Sequence, residues 1–185
     1  MTKAMTSNLT LTGTAIDGAD TWSISLSVAP ASDATFEGII RKQASQSLTI
    51  KKNNTTVGVS SYTQFFSANP FIDYGAIFSD GTYGVMTLHS GNLPATAMVG
   101  SSGPLGTLTL YSNATKASIV NTEQTTWSLE ADTATTAWGC TNSVVRDASN
   151  QVTGTGAGCF KIDTSSNVLA MRYTIAVAGK TLTFQ

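Results

Sequence analysis

TWSISLSV, residues 21–28, alternates without a slip: Trp22, Ile24, Leu26 and Val28 fall on one parity, and Thr21, Ser23, Ser25 and Ser27 on the other. A period of two places the two sets on opposite faces of a β-strand. The apolar set needs a core to cover it, and the other face is wet but carries only hydroxyls. That pattern predicts an antiparallel sheet packed on one side.

The same alternation recurs along the chain between turn signals. NLTLTGTAI (8–16) is followed by DGAD, a bend at Gly18. SLTIKKNNTTVGVSS (47–61) reads as a hairpin turning at Asn53-Asn54, residues that tolerate positive φ, and GAIFSDGTYGVMTLH (75–89) turns at Asp80-Gly81. LGTLTLYS, KASIVN, TTWSLEA, CFKID and VLAMRYTIAVAGKTLTFQ continue the series, the last turning near Ala178-Gly179. Strands joined by such short bends are antiparallel neighbours, because a parallel crossover needs a dozen or more residues. The fold class is therefore all-β, an antiparallel β-sandwich or β-barrel with a meander-like C-terminal half. One stretch departs from the period. SDATFEGIIRKQA (32–44) has Ser32 or Asp33 as an N-cap, Phe36, Ile39 and Ile40 at helical spacing and Arg41-Lys42 late, which predicts a short helix near 33–44.

At 185 residues and 19.2 kDa the chain fits one β domain, 1–185. The alternative is two β units, 1–90 and 105–185, divided in the Gly/Pro/Ser-rich stretch 89–106. LTL and TWS (9–11, 21–23) do recur at 108–110 and 126–128, but Leu, Thr and Ser are the common vocabulary of every strand here. Charged residues make up only 11%, against about 25% in an ordinary domain, and the formal net charge is -1. Nucleic acid is not an expected partner, since phosphate neutralisation needs a basic face. No apolar run of about 18 residues predicts a transmembrane helix. MTKAMTSNLT has no apolar leader segment, yet Ser, Thr, Asn and Gly in place of charge point to an exported protein (periplasmic, cell-surface or secreted) whose leader is absent from this chain.

Cys140 and Cys159 flank a strand–turn–strand segment bending at DASNQ, which brings the two ends together at a separation a disulfide can span. With those cysteines committed to each other and one histidine, His89, a metal centre is not expected. A Ser-His-Asp or Cys-His system would have to use His89, and no G-x-S-x-G elbow occurs. GTGAG (154–158) has neither the spacing nor the context of a phosphate-binding loop. No cofactor is expected. Glu130 and Asp132, two apart at the end of TTWSLEAD, are the remaining acid–base pair, as in a glycosidase-like hydrolase.

The most distinctive segment is SYTQFFSANPFIDYGAIFSDGTY (61–83), dense in rings. These either fill the core or line a ligand site, for which Phe71, Tyr74, Tyr62 and Tyr83 are the candidates. Phe71 and Tyr74, flanking the Asn69-Pro70 bend, are expected to be the most exposed. In its low charge, single cysteine pair and next-to-last aromatic, Phe184 in TLTFQ, the chain resembles fimbrial subunits, although their disulfide lies in the first half. The expected function is that of an exported, non-enzymatic binding or structural module, adhesin-like or an assembly subunit, meeting a glycan, cell wall, protein surface or a second copy of itself. A small-ligand-binding β-barrel carrier is the alternative.

Overall fold

The structure, a computed structural model, describes residues 2–88, 93–94, 96–177 and 180–185. A short helix α1 (Thr2–Thr6) precedes β1 (Leu9–Asp17), β2 (Asp20–Phe36), β3 (Ile39–Lys52), β4 (Thr55–Ala68), β5 (Phe71–Phe78) and β6 (Tyr83–Leu88). Six more strands follow: β7 (Ser102–Tyr111), β8 (Ile119–Ala131), β9 (Thr136–Asp147), β10 (Val152–Asp163), β11 (Val168–Val177) and β12 (Lys180–Phe184). All belong to one sheet in chain order, each pairing with the next. The meander thus runs through the whole chain and not only its second half. Strand β7 begins within the stretch 89–106, and it pairs directly with β6, which ends just before that stretch.

An up-and-down sheet with an even number of strands brings its first and last strands together antiparallel. Thr14 and Gln185 exchange N–H···O bonds of 3.0 and 3.2 Å, the reciprocal pair of an antiparallel ladder. Gly13 permits the approach, since a Cβ there would lie 3.1 Å from the Gln185 nitrogen. The sheet is therefore a nearly closed barrel.

The alternation of residues 21–28 survives intact: Trp22, Ile24, Leu26 and Val28 are all buried. They pack across the barrel with Phe66, Met171 and Phe184. Outside, hydroxyls stand side by side from strand to strand, as in the row Thr10, Ser27, Ser47 and Ser61. Helix α1 lies over one end of the barrel. Its Met5 enters the core, Thr2 Oγ1 donates to the Ala68 carbonyl (3.1 Å), and Lys3 Nζ donates to the Ser165 carbonyl (2.6 Å).

The helix expected near 33–44 is instead the end of the β2–β3 hairpin. Glu37 and Gly38 have φ of 50° and 75°, the two successive positive values of a two-residue hairpin turn, between the paired residues Phe36 and Ile39. A register shift between Ala31 and Ala34 bends the hairpin, and its tip folds back over the outer face of the sheet. There Phe36 stacks on Phe65 and Tyr83, with ring centroids 4.4 and 5.2 Å away. Glu37 accepts from Tyr83 Oη (2.7 Å) and from Lys116 Nζ (2.6 Å). Ile39 and Ile40, the other members of the supposed helical stripe, are exposed. The turns at Gly18, Asn53-Asn54, Asp80-Gly81 and 147–151 lie where the sequence places them, whereas Ala178-Gly179 lies outside the described residues.

Cys140 and Cys159 are direct partners across β9 and β10, with their sulfurs 2.18 Å apart, at disulfide distance. Among the described residues no helix is long and apolar enough to cross a membrane.

The bent hairpin relies on a close approach at Gly75, where φ is 137° and an added Cβ would sit 2.1 Å from the Gly84 carbonyl oxygen and 2.9 Å from the Phe36 ring. Gly75→Ala is expected to destabilise the fold by more than about 3 kcal/mol in urea denaturation. Gly18→Ala, with φ of 60° but open space around it, is expected to cost only about 1 kcal/mol.

Candidate functional site

Eight-stranded barrels have just enough interior for their own side chains to fill, and the diameter grows with strand number. Twelve strands leave room that residues of ordinary size cannot occupy. The main core cluster lies in the half of the barrel around β2, β12 and β1, and the remainder borders a partly open cavity of about 400 Å³. Every strand from β2 to β11 contributes to its wall, and α1 closes part of it with Ala4 and Met5.

Much of the wall is apolar, including Phe78, Met86, Leu108 and Phe160. Against it runs a row of polar side chains on three adjacent strands. Gln46 Nε2 (β3) donates to Gln64 Oε1 (β4), and Gln64 Nε2 donates to Asp73 Oδ2 (β5) at 2.6 Å. The other Asp73 oxygen accepts the Gly75 N–H at 2.9 Å, and Gln46 Nε2 also reaches Met5 Sδ at 3.6 Å. The row therefore links the cavity wall to the helix at the barrel end. Enclosure in protein raises Asp73 to a pKa of about 6, against the lowering effect of its two hydrogen bonds; the nearby Glu123 raises it slightly further. Burial likewise raises the phenols of Tyr62 and Tyr173, and Glu123 acts on both.

The four aromatic candidates divide between two faces of the sheet. Tyr62 and Phe71 line the cavity, Tyr62 beside Phe78 (5.2 Å between centroids) and Phe71 against Phe66 (5.7 Å). Tyr74 and Tyr83 belong to the outer cluster under the bent hairpin. Arg41 lies 3.4 Å over the Tyr74 ring, and Tyr83 is buried. Tyr62 and Tyr83 part by plain alternation, through their partners Phe78 and Ile77, whereas Phe71 and Tyr74 part at a bulge: Phe65 pairs with Gly75 and Phe66 with Asp73, so the strand accommodates Tyr74 as an extra residue. Phe71 and Tyr74, expected to be the most exposed rings, are both half-buried.

Glu130 and Asp132 do not line the cavity. They stand on the outer face, each in its own ion pair: Glu130 with Arg172 (2.6 Å) and Asp132 with Lys161 (2.8 Å). Asp132 is held below the usual carboxylate range by Lys161 first and then by the Thr136 hydroxyl. Trp138 lies between the pairs, with its Nε1 donating to Asp132 (3.1 Å) and Arg172 5.0 Å from its ring. Arg172 also covers the cysteine pair, at 3.7 and 3.5 Å from the two sulfurs. Glu130 and the two sulfurs lie within 4.8 Å of one another, but sulfurs bonded to each other offer no thiolate to a metal. His89 lies outside the described residues.

The residues overlooked in the sequence are Gln46, Gln64, Asp73 and Glu123. Each does carry a signal, a polar side chain on an apolar parity. Gln46 alternates with Ala44, Leu48 and Ile50, and Glu123 shares its face with Trp127 and Leu129. Comparisons with protein-family models, curated proteins and solved structures returned no significant match.

The pH dependence of Asp73 has a definite sign. Between the ordinary value of 3.8 and about 6, the folded protein holds a proton that the unfolded chain has released. Its contribution to stability is therefore greatest at low pH and falls as pH rises through that window. Asp73→Asn can be accommodated, because flipping the amides of Gln64 and Gln46 reverses the hydrogen bonds along the row. The variant is expected to gain stability over wild type at about pH 7 and to have lost that gain by about pH 4, as read by urea denaturation. A variant equally destabilised at both pH values contradicts this.

Proposed function

We propose that this protein is an exported, non-enzymatic binding module that holds a small, mainly apolar ligand inside its barrel. The observation that carries the proposal is the interior cavity of about 400 Å³, within the range of about 300–1,000 Å³ occupied by small-molecule sites. Apolar walls with a few placed polar groups are the usual composition of such a site. The cysteine pair at disulfide distance supports export, because such bonds persist in oxidising compartments. The hydroxyl-clad exterior gives solubility and contact with other polar surfaces at a low desolvation cost. The hollow favours the carrier over a purely structural subunit, and the separate ion pairs of Glu130 and Asp132 give no support to the hydrolase.

The test is titration with the neutral fluorophore 1-anilinonaphthalene. Wild type is expected to bind one equivalent with enhanced, blue-shifted emission. Ser143→Phe, which places a ring in the cavity from β9, is expected to lose that binding while its circular dichroism spectrum and cooperative unfolding are retained. Failure of wild type to bind, or undiminished binding by a folded Ser143→Phe, overturns the proposal.

A further inference from the structure

We infer that the cavity selects organic cations, an ammonium group carried on an apolar body and held between Glu123 and Asp73. The inference rests on the carrier reading and assigns the chemical class of its ligand.

Three observations lead to it. Both formally charged residues of the described wall, Asp73 on β5 and Glu123 on β8, are acids, and the wall contains no Lys or Arg. The Glu123 side chain makes no hydrogen bond or ion pair among the described residues, unlike Asp20, Glu37, Asp132 and Glu130, which are paired with Lys or Arg outside the cavity. The phenols of Tyr62 on β4 and Tyr173 on β11 also face the cavity without a hydrogen-bond partner, although both are enclosed in protein.

Four polar groups from four strands thus face one hollow, Glu123, Tyr62 and Tyr173 with no side-chain hydrogen-bond partner among the described residues and the Asp73 carboxylate bonded only to the neutral Gln64 and Gly75. A half-buried carboxylate that faces an apolar wall without a counter-charge gains from one cationic donor. An ammonium offers three N–H donors, enough to reach a carboxylate and a phenol together. An anion would add a third negative charge to the same cavity. A bare divalent metal ion would leave Phe78, Met86 and Leu108 without a partner, whereas an alkyl or aryl body covers them.

The test uses three probes of one shape, octylammonium, 1-octanol and octanoate, each displacing 1-anilinonaphthalene from the wild-type protein at neutral pH. Octylammonium is expected to bind at least about tenfold more tightly than octanol, the worth of one hydrogen bond to a charged group, with octanoate the weakest. In Glu123→Gln the ratio of octylammonium to octanol affinity is expected to fall about tenfold. In Asp33→Asn, which removes an exposed surface acid paired with Lys42, the ratio is expected to stay at the wild-type value. Below about pH 6 the wild-type preference should shrink as Asp73 takes up its proton. Equal affinities for octylammonium and octanol overturn the inference while leaving the carrier reading intact. So does a ratio that Glu123→Gln leaves unchanged, or that Asp33→Asn lowers equally. If neither the fluorophore nor any of the three probes binds, the carrier reading falls first and this inference with it.

Discussion

The reciprocal hydrogen bond between Thr14 and Gln185 makes the rest of the structure possible. A meander of twelve strands without that contact is an open sheet with two bare edges, and its apolar face has nothing to cover it. Once the ends meet, the same face covers itself. The strand number then sets the width, and that width is more than side chains can fill. The hollow is thus a consequence of topology, while its chemistry is chosen residue by residue.

That choice is uneven around the ring. Near the seam, Trp22, Ile24, Leu26, Phe66 and Phe184 pack as an ordinary core and supply most of the hydrophobic stabilisation. On the far side, inward positions go to residues that do not pack well against one another: Gln46, Gln64, Asp73, Glu123, Thr125 and Ser143. A chain with 11 acidic residues in all that turns two of them inward, toward no cation of its own, accepts a cost that folding alone does not require. The outer face follows the opposite rule. Glu130, Asp132, Glu37 and Asp20 are matched there by Arg172, Lys161, Lys116 and Lys52, and rows of hydroxyls run from strand to strand.

Much of the architecture was legible in the sequence, because strand alternation and turn chemistry are local. TWSISLSV named four buried residues correctly, Asn53-Asn54 and Asp80-Gly81 marked their turns, and the spacing of Cys140 and Cys159 placed them opposite each other. Residues 33–44 misled because Phe36, Ile39 and Ile40 mimic a helical stripe although they sit on two strands joined at Glu37-Gly38. Gly38 was the contrary sign, a residue disfavoured within a helix and favoured in a tight turn. The site was harder to read. That Phe71 faces inward while Tyr74 faces outward depends on the bulge between β4 and β5. A single extra residue reverses the parity of everything beyond it. The choice between sandwich and barrel depends on residues 14 and 185 meeting, a contact between chain ends that no local pattern encodes.

Native-state hydrogen exchange at the Thr14 amide tests the closure most directly. Its hydrogen bond to Gln185 exists only if the ring is shut. Closure predicts protection comparable to that of the β2 amides at the centre of the packed half. Exchange of Thr14 at the rate of an exposed edge amide, with the β2 ladder still protected, would mean an open sheet and would contradict the barrel and its hollow.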